Sequence, residues 1–173
     1  ALTQHWRPLL DALLARPSVD FVLTPVAPGA CEMHTGSRGS ATLTWNGTSY
    51  RYLPRDGDPL GIGPITTRSR TEAYDATRDS EYPDALVQIA LISDGERSGD
   101  LICSAAPGWD FRARFEPIPH RSSHGSLRRA HMLVPLLTNH PVARVPRRTV
   151  DVMPSVATLL SAMVPPTHGE SFV

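Results

Sequence analysis

Residues 83–105 read Pro-Asp-Ala-Leu-Val-Gln-Ile-Ala-Leu-Ile-Ser-Asp-Gly-Glu-Arg-Ser-Gly-Asp-Leu-Ile-Cys-Ser-Ala, a helix pattern followed by a strand pattern. Pro83 suits a first helical turn, where its missing N–H costs nothing, and Leu86, Val87, Ala90 and Leu91 give the apolar stripe. Asp94-Gly95 ends the helix at about Ser93. Asp100 to Ala105 then reads as a buried strand of a parallel or mixed sheet. The same alternation extends outward. Val19–Thr24 is a short buried strand, and Met132–Thr138 is another, with Pro135 suggesting an edge or a bulge. Thr3 to Ala15 is an amphipathic helix, with Trp6, Leu9, Leu10, Leu13 and Leu14 on one face, Thr3 as cap, Pro8 tolerated near the start and Pro17 as stop. A last helix runs from Asp151, its cap, to about Met163, burying Val152, Val156, Leu159, Leu160 and Met163. Strands alternating with helices define an α/β fold, a layered sheet flanked by helices.

Residues 30–55 form a β-rich insert. Ala41, Leu43 and Trp45 alternate with Thr42 and Thr44, Asn46-Gly47 follows, and Thr48, Tyr50 and Tyr52 alternate again. Asn-Gly is a strong two-residue hairpin signal, because both positions need positive φ. That turn pairs Trp45 with Thr48, Leu43 with Tyr50 and Ala41 with Tyr52, and collects the apolar and aromatic bulk on one face. Asn46-Gly47-Thr48 also matches a glycosylation sequon, a reading disfavoured without a secretory signal. Residues 54–70, rich in Pro, Gly, Arg and Asp, read as a loop, and Gly61-Ile62-Gly63 lacks the third glycine of a dinucleotide-binding turn.

The 173 residues suffice for one ordinary α/β domain, and 40% apolar content supports a packed core. Seventeen basic and seventeen acidic residues cancel, which argues against nucleic acid or an anionic membrane as the main partner. No apolar run approaches the roughly 18 residues of a membrane span. Arg7, Pro8 and Asp11 interrupt the stretch where a signal peptide would lie, so a cytoplasmic setting is favoured. Cys31 and Cys103 are too far apart for a metal-pair motif and too few for a disulfide scaffold. Every basic residue is arginine, which removes lysine-dependent chemistry such as P-loop nucleotide binding and Schiff bases. The chain starts Ala1-Leu2-Thr3, as a processed product or a piece of a longer protein would.

His120, His124 and His131 fall within twelve residues, between two expected strands, amid Arg112, Arg114, Arg121, Arg128 and Arg129. Loops at strand ends are where α/β enzymes place their sites, and neutral imidazole is a good zinc or manganese ligand. A surface loop with scattered histidines is the competing reading. A Ser–His nucleophilic pair using Ser122, Ser123 or Ser126 is disfavoured, because no Gly-x-Ser-x-Gly elbow is present. Asp110 and Glu116 are candidate carboxylate ligands or bases, or surface partners of the arginines.

Five segments in order resemble the C-terminal portion of the alkaline phosphatase superfamily, nearest its type I phosphodiesterase/nucleotide pyrophosphatase and sulfatase-like branches. They are Ser98-Gly99-Asp100-Leu101-Ile102, Ala105-Ala106-Pro107-Gly108-Trp109-Asp110, Ser122-Ser123-His124-Gly125-Ser126, Met132-Leu133-Val134-Pro135-Leu136 and Arg148-Thr149-Val150-Asp151-Val152-Met153-Pro154-Ser155, and the ending His168-Gly169-Glu170-Ser171-Phe172 resembles the family's closing segment as well. The resemblance covers about residues 80–173 and does not account for the insert at 30–55.

The resemblance implies an alkaline-phosphatase-like layered sheet, incomplete here, in a hydrolase of phosphate or sulfate esters. Two divalent metals, zinc or manganese, would activate a hydroxyl nucleophile and clamp the transition-state oxygens. His124 matches the family's late metal-ligand histidine, with His120, Arg121 and Asp110 as candidate contacts to a small anionic ester. The nucleophile and first aspartate ligand belong to a preceding half, and neither His124-Gly125 nor His168-Gly169 follows an aspartate. Residues 1–173 are therefore expected to be the C-terminal part of a larger catalytic domain and inactive alone. The alternative is a non-catalytic α/β binding module on the same scaffold. Nothing separates a hydrolase from a metal-dependent phosphomutase.

Overall fold

The structure is a computed structural model, and it describes residues 6–111 and 125–173. The chain divides into two compact units, Ala1–Leu133 and Val134–Val173.

The first unit is α/β, built on a six-stranded antiparallel sheet. Helix α1 (Arg7–Leu14) precedes a meander of β1 (Val19–Ala27), β2 (Ala30–His34), β3 (Ser40–Trp45), β4 (Tyr50–Arg55) and β5 (Ile65–Thr67). Helices α2 (Arg70–Thr77) and α3 (Ala85–Ser93) follow, then β6 (Ile102–Ala105) and the single turn α4 (Arg129–Met132). The strand order is β5-β4-β3-β2-β1-β6, so residues 30–55 supply the middle of the sheet. Alternate residues bury one face: Phe21 and Leu23, Cys31 and Met33, Ala41 and Leu43, Tyr50 and Tyr52. They form one core with Leu86, Val87, Ile89 and Ala90 of α3 and Ala73 of α2. On the opposite face Val22 and Thr24 are buried and α1, carrying buried Leu10, packs against β1.

Three expectations are corrected in this unit. Strand β6 is antiparallel to β1, with Leu23 opposite Ile102 and Val19 opposite Ala105, in place of a parallel or mixed arrangement. The reason lies at the end of α3. Asp94 accepts hydrogen bonds from Gly29 N and Trp45 Nε1, which holds the helix terminus beside the C-terminal end of β1. The short connection from there re-enters the sheet at that end and must run back along β1. Second, the hairpin pairs Trp45 with Tyr50, Leu43 with Tyr52 and Ala41 with Pro54. Asn46–Ser49 is thus a longer loop, closed by Asn46 N to Ser49 O and by the Asn46 side chain on Ser49 N. The register moves by two residues, which leaves every side chain on its expected face. Third, the stretch 54–70 is not all loop: it contains β5 and the start of α2, whose Ser69 cap accepts from Glu72 N at 3.0 Å.

In α3 the buried set is Ala85, Leu86, Val87, Ile89 and Ala90, while Leu91 is exposed. The Thr3 cap of the first helix lies outside the described residues. Helix α1 starts at Arg7 with Pro8 in its first turn.

The second unit holds a 3₁₀ turn, Thr149–Asp151, running into α5 (Val152–Leu159). Its expected buried stripe is corrected: Val152, Val156, Leu159, Leu160 and Met163 are exposed, and Pro154 and Ser155 are the buried residues. Ser155 faces the C-terminal segment, where Phe172 N donates to Ser155 Oγ at 3.0 Å and Phe172 is buried. The expected strand Met132–Thr138 is also absent, because Met132 ends α4 and residues 133–138 have no ladder partner among the described residues.

Candidate functional site

Of the residues singled out from the sequence, His120, Arg121 and His124 lie outside the described residues, as do Arg112, Arg114, Glu116, Ser122 and Ser123. Asp110 is exposed, just beyond the turn that follows β6. Among the described residues no group of three or more His, Cys, Asp or Glu side chains is placed to hold a metal ion. Ser126 Oγ lies 3.2 Å from His131 Nδ1. The same Nδ1 accepts the Ser126 backbone N–H at 3.1 Å, and Ser126 Oγ accepts from Arg128 N. This arrangement closes the entry to α4 and spends the imidazole nitrogen on backbone, not on activating a nucleophile.

Two polar constellations in the first unit were not legible in the sequence. One is centred on Asp20, a carboxylate 7% exposed at the start of β1. Arg128 grips it with Nη2 on Oδ1 at 2.8 Å and Nε on Oδ2 at 3.1 Å, a two-pronged contact that suits the planar guanidinium. Arg38 Nη2 adds a third bond at 2.8 Å and the Tyr82 hydroxyl a fourth at 2.9 Å. Both guanidinium groups lie within 5.5 Å of the Tyr82 ring centroid. Burial pushes the Tyr82 phenol above its ordinary value, so it donates its proton to Asp20 throughout the neutral range. Both guanidinium groups and the phenol are engaged by protein partners. The constellation is a structural clamp.

The other is a cleft of about 470 Å³ on the sheet face beside α1. Its floor is a row across three strands, because His34 pairs with Ser40 and Ser40 with Arg55. Glu32, two residues before His34 on the same strand, shares that face. His34 Nε2 lies 3.3 Å from Thr24 Oγ1 and 3.6 Å from Glu32 Oε2. Burial lowers the His34 pKa, Glu32 works against that, and Arg7 and Arg55 reinforce it, so the ring is neutral at pH 7. Arg55 reaches Glu32 only at 3.8 Å, beyond hydrogen-bond distance, with its side chain 60% exposed. Arg7 stands on the α1 rim with Asp11 at 3.0 Å.

The mouth is shaped by two crossing turns. Gly39 has φ +87° and a Cβ there would overlap the Asp56 carbonyl, while Gly57 has φ +125° with the Arg38 carbonyl 2.5 Å from its would-be Cβ. Only glycine allows both backbones to approach so closely.

In the second unit Asp151 joins two of the sequence motifs. Its Oδ2 accepts from Arg147 N at 3.1 Å and its Oδ1 from Glu170 N at 3.0 Å, while Arg144 pairs with it at 3.4 Å. Burial alone would raise this carboxyl, but the N–H groups of Glu170, Arg147 and Arg148 and the Arg144 charge prevail and hold it below its usual value. A lowered folded-state pKa contributes stability above the usual carboxylate range, lost as pH falls through the lowered value. The Phe172 ring signals in NMR are expected to stay at buried positions from neutral pH down to about pH 5, and to move to exposed ones only below about pH 4. Movement that begins near neutrality would remove Asp151 as the cause.

Comparison of the chain with protein-family models, with curated proteins and with solved structures found no match.

Proposed function

We propose that this chain is the C-terminal part of a metal-dependent hydrolase of phosphate or sulfate esters, with an alkaline-phosphatase-like sheet completed by a preceding half. In this reading His124 supplies one ligand to a two-metal zinc or manganese site, and the missing half supplies the nucleophile and remaining ligands. About six to eight protein ligands would be needed for two ions, at three or four each. Metals so bound would activate the nucleophile and neutralise the ester's oxygens. His120, Arg121 and Asp110 are proposed to contact the anionic substrate, arginine by paired hydrogen bonds.

The observation that carries the reading is the exposure of apolar side chains on the elements bearing the family-like motifs. In the second unit Leu137 is 93% exposed, Met163 91% and Leu160 72%. Each such side chain gains about 1.5–3 kcal/mol when fully buried, so a sequence that keeps several of them has a use for their burial. A further body of the same protein would provide it, and would give the Val134-Pro135-Leu136 segment a strand to pair with. The union of Asp151 with Glu170 adds support, because it gives two of the motifs one shared structural task.

The test is the mass of the natural gene product in its source cells, with its metal content. A product at least twice 18.9 kDa that carries zinc or manganese, loses about one ion on His124→Ala and hydrolyses p-nitrophenyl phosphate esters or sulfate supports the reading. A product near 18.9 kDa, or metal content unchanged by His124→Ala, overturns it. The first of these would leave the binding-module alternative, which the cleft beside α1 favours.

A further inference from the structure

The cleft between α1 and strands β2 to β4 has features that the ester-hydrolase reading does not use. It is concave, at about 470 Å³ within the range of small-molecule sites, and its polar groups converge from separate elements. Helix α1 brings Arg7, β2 brings Glu32 and His34, β3 brings Ser40 and β4 brings Arg55. In the Asp20 clamp on the same unit each guanidinium is bonded to two protein side chains, Arg38 to Asp20 and Tyr82 and Arg128 to Asp20 and Glu81. The cleft leaves its cations underused: the Arg55 guanidinium reaches Glu32 only at 3.8 Å, and Arg7 is held by one exposed carboxylate on its own helix. A guanidinium has five N–H donors in a fixed fork, a match for a planar or tetrahedral oxyanion. Deeper in, His34 presents an uncharged ring, while Glu32 and the Ser40 hydroxyl offer acceptors for hydroxyl protons.

We infer that this cleft is a binding site for a small hydroxylated anion, with its phosphate or carboxylate end between Arg7 and Arg55 and its hydroxyl groups toward Glu32, His34 and Ser40. The mixed lining explains the ligand class. A bare inorganic anion would leave the carboxylate of Glu32 beside it without a donor, and a neutral polyol would leave both guanidinium groups without a counter-charge.

Proton linkage gives a signature. The groups facing His34 are Arg7 and Asp11 from α1, Glu32 on β2, Arg55 on β4 and the Thr24 hydroxyl of β1, with Asp56 at the mouth. An added anion favours the protonated imidazole, so the bound ligand raises the His34 pKa and binding tightens as pH falls through it.

The experiment is NMR of the full 173-residue chain, following the His34 ring signals during titration with ribose 5-phosphate, gluconate and, as the uncharged control, ribose. The expected result is saturable movement with at least one of the two anions below about 5 mM, a magnitude ordinary for a few charge-assisted contacts. Ribose should cause none, and Arg55→Ala should weaken binding about tenfold, as should Arg7→Ala. Both arginines are more than half exposed, so folding should survive, and the combined tryptophan emission of Trp6, Trp45 and Trp109 checks it. No saturable movement with either anion up to about 20 mM overturns the inference, as does movement that persists unchanged in both arginine variants. His124→Ala should leave the titration unchanged, so failure here and failure of the hydrolase reading are separately visible.

Discussion

Replacing Asp20 with alanine is expected to destabilise the first unit by about 3 kcal/mol, near the lower bound for breaking a buried ion pair. The loss is large because one carboxylate serves three partners: Arg128, Arg38 and the Tyr82 hydroxyl. Without it two like charges face each other beside a buried ring, with Arg128 only 19% exposed. Arg38, one third exposed, can turn partly toward water, which keeps the figure from rising further. Asp20→Asn should cost less, because one oxygen still accepts from a guanidinium while its amide opposes the other. Urea unfolding read by tryptophan fluorescence measures this, since Trp6, Trp45 and Trp109 all belong to the first unit. A loss for Asp20→Ala below about 0.5 kcal/mol, the size of an exposed pair, would show that the clamp is ordinary surface chemistry.

Gly169→Ala is expected to release the C-terminal segment from α5. A Cβ at residue 169 would overlap the Val150 carbonyl group and stand 2.9 Å from Asp151 N, with backbone on every near side. Backbone in the turn that starts a helix cannot yield as a flexible side-chain tip can, so the C-terminal segment has to move. Moving it breaks Glu170 N to Asp151 and Phe172 N to Ser155, and uncovers Phe172, otherwise 5% exposed. Overpacking of this kind costs about 1–3 kcal/mol, and the lost burial of a phenylalanine is of similar size. Amide hydrogen exchange should show protection of Glu170, Phe172 and Ala143, whose N–H donates to Phe172 O at 2.7 Å, falling by at least about tenfold, with tryptophan-detected unfolding of the first unit unchanged. Protection equal to that of the parent chain would mean that the close approach of Gly169 and Val150 is not maintained in solution.

Much of the local structure was readable from neighbouring residues. The alternation through Ala41, Leu43, Trp45, Tyr50 and Tyr52 announced two strands and the face they bury, and that survived a register shift of two. Leu86, Val87 and Ala90 marked the core face of α3. The spacing Ser69-Arg70-Thr71-Glu72 matches the capping-box sequence pattern, a signal for α2 available within the Pro- and Gly-rich stretch around it, although Glu72 accepts from Arg68 N and only Ser69 makes its half of the box. At α5 the same reasoning went the wrong way. Its helical spacing of apolar residues was real, but nothing local states which face meets a neighbour, and the face that does so carries Pro154 and Ser155.

The polar constellations were less legible. Glu32 and His34 stand two apart on a strand, a pattern that says only that they share a face. Their meeting with Arg7 and Arg55 depends on α1 folding back over the sheet and on the β2–β3–β4 register. Asp20 gives no sign in its own neighbourhood that it will be buried, because its partners lie 18, 62 and 108 positions away.

By itself, then, the sequence determined the period of each element, the residues able to form a core, the ends set by Asp-Gly and Pro, and the chemistry excluded by the absence of lysine. These depend on residues a few positions apart, where sterics and side-chain spacing act directly. Only the tertiary structure decided that β6 runs antiparallel, that Asp20 gathers two arginines, that His34 sits neutral in a cleft, and that Gly169 must lie on Val150. Each of those is a contact between segments distant along the chain. Its energy exists only after the backbone has brought them together, and no local pattern encodes it.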